Sequence, residues 1–440
     1  MQINLSAQQR AKSLRFSFLD GIFASTTVGF TQEYFTPFLL LLGATSRHIA
    51  MLNALPNLFA SLIQFKIPDF VESVKSRKKV VNSFVFLQAI MLVPMAVVAY
   101  QGGVCPVIFI VMVIAFTFFG AIATPAWGSL MSDLVSEAQR GEYFGWRNKI
   151  LGFVTIITAF MTGFILHNMK KVNIFYGFAL IFGLAFIARL ISWCFLKKMH
   201  EPPIEYGKEN SFTLLDFLSR IKESNFAQFV LFVSMMNFSV NLASPFFAVF
   251  MLRDLNFSYM LYTVITLTAT TTIYLLIGRW GRHADKIGNI KIIRFVSPMI
   301  GIIPLLWVMN HHIVFLIFAQ VVSGFAWAGF NLCASNFIYD AVTPAKRTRC
   351  IAYFNVLNGL ALSIGALLGG LLLTVLPSIF GYKILMLFVI SSFLRISVAI
   401  FMPLRLKEVK SVQLITNNQI FFSIIGIKPL LGVERKTIRF

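Results

Sequence analysis

The chain has 440 residues, of which 58% are hydrophobic and only 12% charged, and 48 are phenylalanine. Soluble proteins carry about 25% charged residues, so this composition, with a mean hydropathy of +0.79, leaves little chain for a soluble domain. The formal net charge of +21 is spread over short segments between apolar stretches, which points to a membrane surface rather than to nucleic acid. The four cysteines, Cys105, Cys194, Cys333 and Cys350, have neither metal spacing nor the pattern of a disulfide framework.

The polar start, MQINLSAQQRAKSLRF, runs directly into an apolar stretch longer than the core of a cleaved signal peptide, so the first helix is expected to be retained. A bilayer core takes about 20 apolar residues per helix. Twelve stretches meet that requirement: 14–42, 49–70, 80–100, 105–132, 144–167, 173–196, 226–251, 258–279, 292–310, 313–337, 350–375 and 382–403. Helices satisfy their own backbone hydrogen bonds in lipid. Barrel strands would be shorter and would alternate in polarity, and no stretch does. The expected fold is an all-α membrane protein with twelve transmembrane helices in two pseudo-symmetric six-helix bundles. The bundles fall at 1–200 and 226–403, joined by a cytoplasmic linker at 201–225 and followed by a basic tail at 404–440.

Lysine and arginine collect on alternate connections. One side carries Arg10, Lys12 and Arg15, then Lys75 to Lys79, then Arg140, Arg147 and Lys149, then Lys197 and Lys198, then Arg279 to Arg294, then Lys346, Arg347 and Arg349, and the tail. The loops of the other side hold Arg47, Lys170, Lys171, Arg253 and Lys383. Positive charge stays inside, which places both termini in the cytoplasm of a multi-pass protein of the cell membrane. In the linker, Phe212, Leu215, Phe217, Leu218 and Ile221 cluster on one side of a helix and predict a short amphipathic segment on the membrane surface.

The halves repeat. EYFTPFLLLL from Glu33 answers NLASPFFAVF from Asn241, so that Pro37 pairs with Pro245 at an offset of 208. Asp133 and Arg140 are seven residues apart, as are Asp340 and Arg347, at an offset of 207. A repeated six-helix unit suits a protein whose halves rock about a central site.

Between the eighth and ninth spans, Gly281, Asp285, Lys286, Gly288 and Lys291 form the pattern G-x-x-x-D-K-x-G-x-x-K. Here the chain resembles the Major Facilitator Superfamily, whose inter-helix loop signature has this form; it departs from the usual basic pair at Asn289 and Ile290. The first-half copy, PDFVESVKSRKKVV from Pro68, is poorer: Ser76 stands where glycine is usual, and Glu72 is nearest to the aspartate. The segment Trp127 to Lys149 is similar to the link after the fourth helix in bacterial members, through Asp133, Arg140 and Gly141. The resemblance implies a transporter whose charged loops latch the halves in the outward-facing state. Asp133, Arg140, Gly281, Asp285, Lys286, Gly288, Asp340 and Arg347 are its gating candidates, and it assigns no substrate.

Acidic residues within the spans are scarce, and an ionisable group in hydrocarbon usually faces a cavity or partner. Glu33 lies near the middle of the first span, too deep to reach water through lipid, and is expected to couple transport to protons or else to make a buried structural bond. Asp20 follows Arg15 by five residues, within about 8 Å along a helix, and either reaches the interface or joins the site. Pro37 and Pro245 each free the carbonyl four residues back, of Glu33 and Asn241, for a ligand or a kink. Gln32, Asn237, Asn241, Gln320, Asn331, Asn355 and Asn358 are the polar candidates for substrate contact; some would serve as interhelical glue. Arg189 and Arg395 either snorkel toward the cytoplasm or touch substrate, while Trp127, Trp146, Trp193 and Trp307 either stack on a ligand or anchor at the interface.

There is no zinc pattern, nucleophile triad or phosphate-binding G-x-x-x-x-G-K-[ST] loop. The expected function is therefore a secondary active transporter of a small solute, not an enzyme, proton-coupled, without cofactor or nucleic acid, working as a monomer in the lipid bilayer. A transport-inactive sensor or scaffold on the same fold, or a lipid-modifying membrane enzyme, is the alternative. Reporter fusions after Glu201 and Lys407 are expected both to read cytoplasmic; an outside reading at either position overturns the topology.

Overall fold

Residues 6–64, 66–135, 137–202, 224–342, 344–409 and 424 are described by a computed structural model, with backbone alone at 7, 68–69, 137–142, 339 and 344–349. The expected linker helix and nearly all of the tail beyond 409 lie outside the described residues, as do the side chains of Arg140 and Arg347.

The described regular structure is helical apart from one isolated bridge, Ile379 to Tyr382. In order the helices are α1 (Ala7–Thr31), α2 (Phe35–Leu41), α3 (Ser46–Ile63), α4 (Ile67–Val74), α5 (Arg77–Gln101), α6 (Pro106–Leu134), α7 (Glu137–Met169), α8 (Ile174–Lys197), α9 (Asn225–Asn241), α10 (Phe246–Val249), α11 (Tyr259–Ile287), α12 (Asn289–Met309), α13 (Ile313–Ala341), α14 (Pro344–Val375) and α15 (Lys383–Phe401). A π-helical turn, Phe250–Asp254, extends α10. Among the described residues, ten helical segments are long and apolar enough to cross a membrane. α1 and α3 are not in that group, because α1 carries Asp20 and several hydroxyls while α3 carries Asn53 and Asn57.

Three expected spans are broken. α1 gives way to α2 just before Pro37, α3 to α4 just before Pro68, and α9 to α10 at Pro245. Proline denies the helix a donor and crowds the preceding turn. Other helices outrun their expected spans: α7 begins at Glu137, α14 at Pro344, and α11 continues to Ile287. Apolarity marks where a helix enters lipid, but backbone chemistry decides where it stops. Consequently Gly281, Asp285 and Lys286 lie on a helix rather than in a loop, and the turn is made at Gly288, with φ of 91°.

The chain forms two compact units. The first comprises Met1–Lys208, Asn241–Leu267 and Gly359–Ile384; the second comprises Glu209–Val240, Thr268–Asn358 and Leu385–Phe440. In the first, α5 packs along α6 and α8, α1 along α7 and α8, and α3 along α6. Phe38 is fully buried in a cage of Phe109, Phe178 and Phe182, at ring separations of 4.8, 4.9 and 5.4 Å. Lipid tails are as apolar as these side chains, so tight packing and hydrogen bonds, not water exclusion, hold such helices together. Glycine supplies the closest approaches: a Cβ at Gly29 would lie 2.7 Å from that of Thr158. Segments from late in the chain join by hydrogen bonds: Ser363 Oγ donates to the Ala54 carbonyl (2.9 Å), and Tyr34 Oη pairs with Thr263 Oγ1 (2.8 Å).

In the second unit α12 packs along α13. Trp280, on α11, is buried over Gly329 and donates from Nε1 to the Phe325 carbonyl at 3.1 Å. Arg294 ties α12 to the segment after α15 through the carbonyls of Pro403 and Leu406.

The turn between α4 and α5 answers the one at Gly288, but the left-handed residue there is the exposed Lys75, with φ of 55°, and Ser76 is the N-cap of α5. A side chain in that region costs about 1–2 kcal/mol, partly offset in glycine by its greater freedom when unfolded. Lys75→Gly is therefore expected to stabilise the protein by about 0.5–1 kcal/mol, seen as a raised unfolding midpoint in detergent.

Candidate functional site

The helices of the first unit bring three ionisable side chains together. α1 supplies Asp20, α7 supplies Arg147 and α8 supplies Arg189. Asp20 is only 5% exposed, so the expected route to the interface is not taken. Its stand-in for water is α8: Ser192 Oγ donates to Asp20 Oδ1 at 2.6 Å. Arg189 does not snorkel either. Its Nη1 donates to Ser192 Oγ (3.2 Å) and its Nε to Gln88 Oε1 (2.9 Å). Arg147 donates from Nη2 to the Ser17 carbonyl (3.1 Å), and its guanidinium lies 4.6 Å from the ring of Trp127. The three line one cavity of about 160 Å³, with Trp127 and Thr124 in its wall.

A second cavity of about 390 Å³ lies in the same unit. Its polar lining is uncharged: Thr31, Gln32, Thr36, Asn53, Asn57, Gln88 and Thr117. The polarity that sets α3 apart from an ordinary span is thus partly accounted for by Asn53 and Asn57 at this wall. Gln88, in the wall of this cavity, accepts from Arg189 while its Nε2 donates to the Phe116 carbonyl at 3.1 Å. Gly120 makes room for it, since a Cβ there would come within 2.5 Å of Gln88 Nε2.

Of Asp20 and Glu33, Glu33 is the less enclosed. It is half-buried in the break before α2, and no ion pair or hydrogen bond engages its carboxyl among the described residues. Its carbonyl, released by Pro37, accepts from Tyr262 Oη at 2.8 Å. Glu33 is therefore not alone as a deep acid in the spans, because Asp20 is buried more completely.

The other polar candidates are scattered. Asn237 Nδ2 donates to Asn358 Oδ1 at 2.7 Å within the second unit. Gln320 and Asn355 are half-buried and Asn331 is exposed in that unit, whereas Asn241 belongs to the first. Arg395, 3% exposed, is held by Ser391 Oγ and by the carbonyls of Ile300 and Val240. It too is packed inside rather than snorkelling.

The gating candidates divide likewise. Arg77, at the start of α5, donates from Nη1 to Asp133 Oδ2 at 2.6 Å. Glu201, just past α8, accepts from the backbone amides of Arg77 (2.6 Å) and Lys78 (3.3 Å) and from Ser76 Oγ (2.6 Å). The second unit repeats the arrangement: Asn289 Nδ2 donates to Asp340 Oδ2 (2.9 Å), and Glu408 Oε2 accepts from the Ile290 amide (2.7 Å). Asp285 is exposed and Lys286 half-buried, and neither forms an ion pair among the described residues. In the sequence Arg77 and Arg147 read as rim charges, and nothing marked Glu201 as a helix-end acceptor. Arg189 carried a signal in its match to Arg395 at an offset of 206.

A helical membrane protein with polar cavities inside its bundle and charge clusters at its helix ends has the form of a solute transporter. The sequence profile of the Major Facilitator Superfamily matches residues 21–309 and again 229–433, and the chain belongs to that family. No curated protein matches it. Among solved structures it is similar to a variant of the nucleoside transporter NupG (15% identity, TM-score 0.69, covering 91% of this chain and 100% of that one). It is also similar to a bacterial homologue of the human lysosomal transporter Spinster in an inward-facing, occupied conformation (11% identity, TM-score 0.66, 92% and 98%). A third is a bacterial homologue of the iron transporter ferroportin in an inward-facing state (14% identity, TM-score 0.64, 91% and 100%). At these identities the likeness carries the fold alone.

Glu201→Ala strips an acceptor from two orphan amides at the start of α5 and is expected to cost about 1–3 kcal/mol of stability. Glu201→Gln keeps an acceptor oxygen and should cost less. Thermal unfolding in detergent measures both.

Proposed function

We propose that the protein is a secondary active transporter that moves a small solute by alternating access and is coupled to protons through Glu33. Family membership supports the transport reading. The coupling reading rests on one observation: a carboxyl at the break between α1 and α2, unpaired among the described residues and beside a carbonyl freed by Pro37. A carboxyl that is neither paired nor openly hydrated is suited to gain and lose a proton as its access to water changes. In this reading the chain has twelve spans in two six-helix halves, at 1–200 and 226–403, with both termini cytoplasmic, and it works as a monomer. Asp133 with Arg140, Asp340 with Arg347, and the Gly281, Asp285, Lys286 and Gly288 motif gate the cytoplasmic ends. Gln32 forms the wall nearest Glu33, and Asn237, Asn241, Gln320, Asn331, Asn355 and Asn358 offer hydrogen bonds to the solute from the second half.

A thermal-shift ligand screen on purified protein supplies a solute, and proteoliposomes with an imposed pH gradient then test coupling. Wild type is expected to concentrate the solute and to lose the gradient-driven part on adding a proton uncoupler. Glu33→Gln keeps most of the hydrogen-bonding capacity and cannot titrate, so it should equilibrate solute to a ratio of about one without concentrating it. Accumulation that ignores the uncoupler, or that persists in Glu33→Gln, overturns the coupling.

A further inference from the structure

The smaller cavity holds more positive charge than its own acid cancels. Among the described residues Asp20 is the only acid in its lining, and it faces two guanidiniums, Arg147 and Arg189. Among the described residues no ion pair joins Asp20 to either. Asp20 and Arg147 are 5% and 7% exposed, so bulk water does little to screen them. Hydrogen-bond donors are left over as well: Arg147 Nε and Trp127 Nε1, both shielded from solvent, find no acceptor among the described residues. Arg189 commits Nε to Gln88 and Nη1 to Ser192, leaving Nη2. Buried donors without acceptors are rare in folded proteins, and each calls for a partner. Water would satisfy donors but not the surplus charge.

The space suits a small anionic group. At about 160 Å³ the cavity is well above the roughly 10–15 Å³ that a single water needs, which leaves room for a carboxylate or phosphate group. Two guanidiniums and an indole N–H match planar or tetrahedral oxyanions, which accept several charge-assisted hydrogen bonds at once. We propose that this cavity is an anion subsite, in which Arg147 and Arg189 hold a carboxylate or phosphate group of the ligand, with Trp127 Nε1 beside it. The neutral polar cavity, whose wall includes the Gln88 that accepts from Arg189, takes the uncharged remainder of the same molecule. This deepens the transporter reading and rests on it for the ligand's role as cargo. Asp20 bears the same sign as the ligand group, so it competes for the guanidiniums and keeps the empty site from being charged twice over.

Purified full-length protein in detergent is titrated with inorganic phosphate and with acetate, against chloride at equal ionic strength and against neutral acetamide. Thermal unfolding and tryptophan fluorescence are read. A saturable upward shift with phosphate or acetate, absent with acetamide, is expected. Arg147→Gln and Arg189→Gln should each raise the half-saturating concentration at least about tenfold, and Asp20→Asn should lower it by about tenfold. If the glutamine variants do not fold, Arg147→Lys keeps the charge but loses the planar fork and should still weaken binding. Nanodiscs of phosphatidylglycerol or phosphatidylcholine separate two sources. Loss of the soluble-anion response only in the anionic lipid supports the site and assigns it to a headgroup; an equal response in both supports it and assigns it to a free solute. No saturable response in wild type and in Asp20→Asn, or a response unaltered in every arginine variant, overturns the proposal. The titration needs no transport, so a protein that binds the anion yet fails to move it in proteoliposomes refutes the transport reading alone.

Discussion

A charge inside a membrane helix has to be solvated by protein, and that constraint organises the first bundle. Asp20, Arg147 and Arg189 sit on three different helices, and each is hydrogen-bonded to a neighbouring helix, through Ser192, the Ser17 carbonyl and Gln88 respectively. Ser192 illustrates the economy of the arrangement, donating to Asp20 and accepting from Arg189 with a single hydroxyl. The same constraint explains Gln88, whose two ends serve Arg189 and a backbone carbonyl. Hydrogen bonds that cross between helices in this way fix how α1, α5, α7 and α8 register, since apolar contact between helices in lipid specifies little.

The internal repeat shows how that constraint is met twice with different side chains. Arg189 and Arg395 occupy matching positions, but at the offset of 208 the counterpart of Asp20 is Gln228. Lacking an acid there, the second unit solvates Arg395 with Ser391 and two backbone carbonyls instead. At the helix ends the repeat is closer. Glu201 and Glu408 each take backbone amides at the start of a helix, where unpaired donors and the helix dipole favour a carboxylate. Asp133 and Asp340 each take the side chain beside them, an arginine in one unit and an asparagine in the other. The first of these contacts is an ion pair, and the second is a hydrogen bond donated by an uncharged amide.

Prolines do comparable work on the backbone. Pro37 removes a helical hydrogen bond and leaves the Glu33 carbonyl to Tyr262, which arrives from more than two hundred residues later in the chain. Tyr34, fully buried one residue on, bonds both Ala159 and Thr263. A break within a span is therefore also a joint to other segments, and it leaves the Glu33 carboxyl at an irregular stretch of backbone.

The sequence alone determined what depends on composition and local chemistry. Its apolar stretches announced a helical membrane protein, its prolines marked two of the broken helices, and its paired Asp133 and Asp340 announced the repeat. The glycine-framed motif at Gly281 to Gly288 carried the family. Tertiary structure decided whatever depends on partners distant in the chain. Arg147 read as a rim charge, and Arg189 as a residue that either snorkels or touches substrate, because nothing local distinguishes an arginine that snorkels from one that turns inward to partners on other helices. Asp20 read as close enough to the interface to escape, until Ser192 supplied a reason to stay. Helix ends such as Ile287 were missed because lipid imposes the apolar pattern, whereas the helix itself runs on until a residue like Gly288 lets the chain turn.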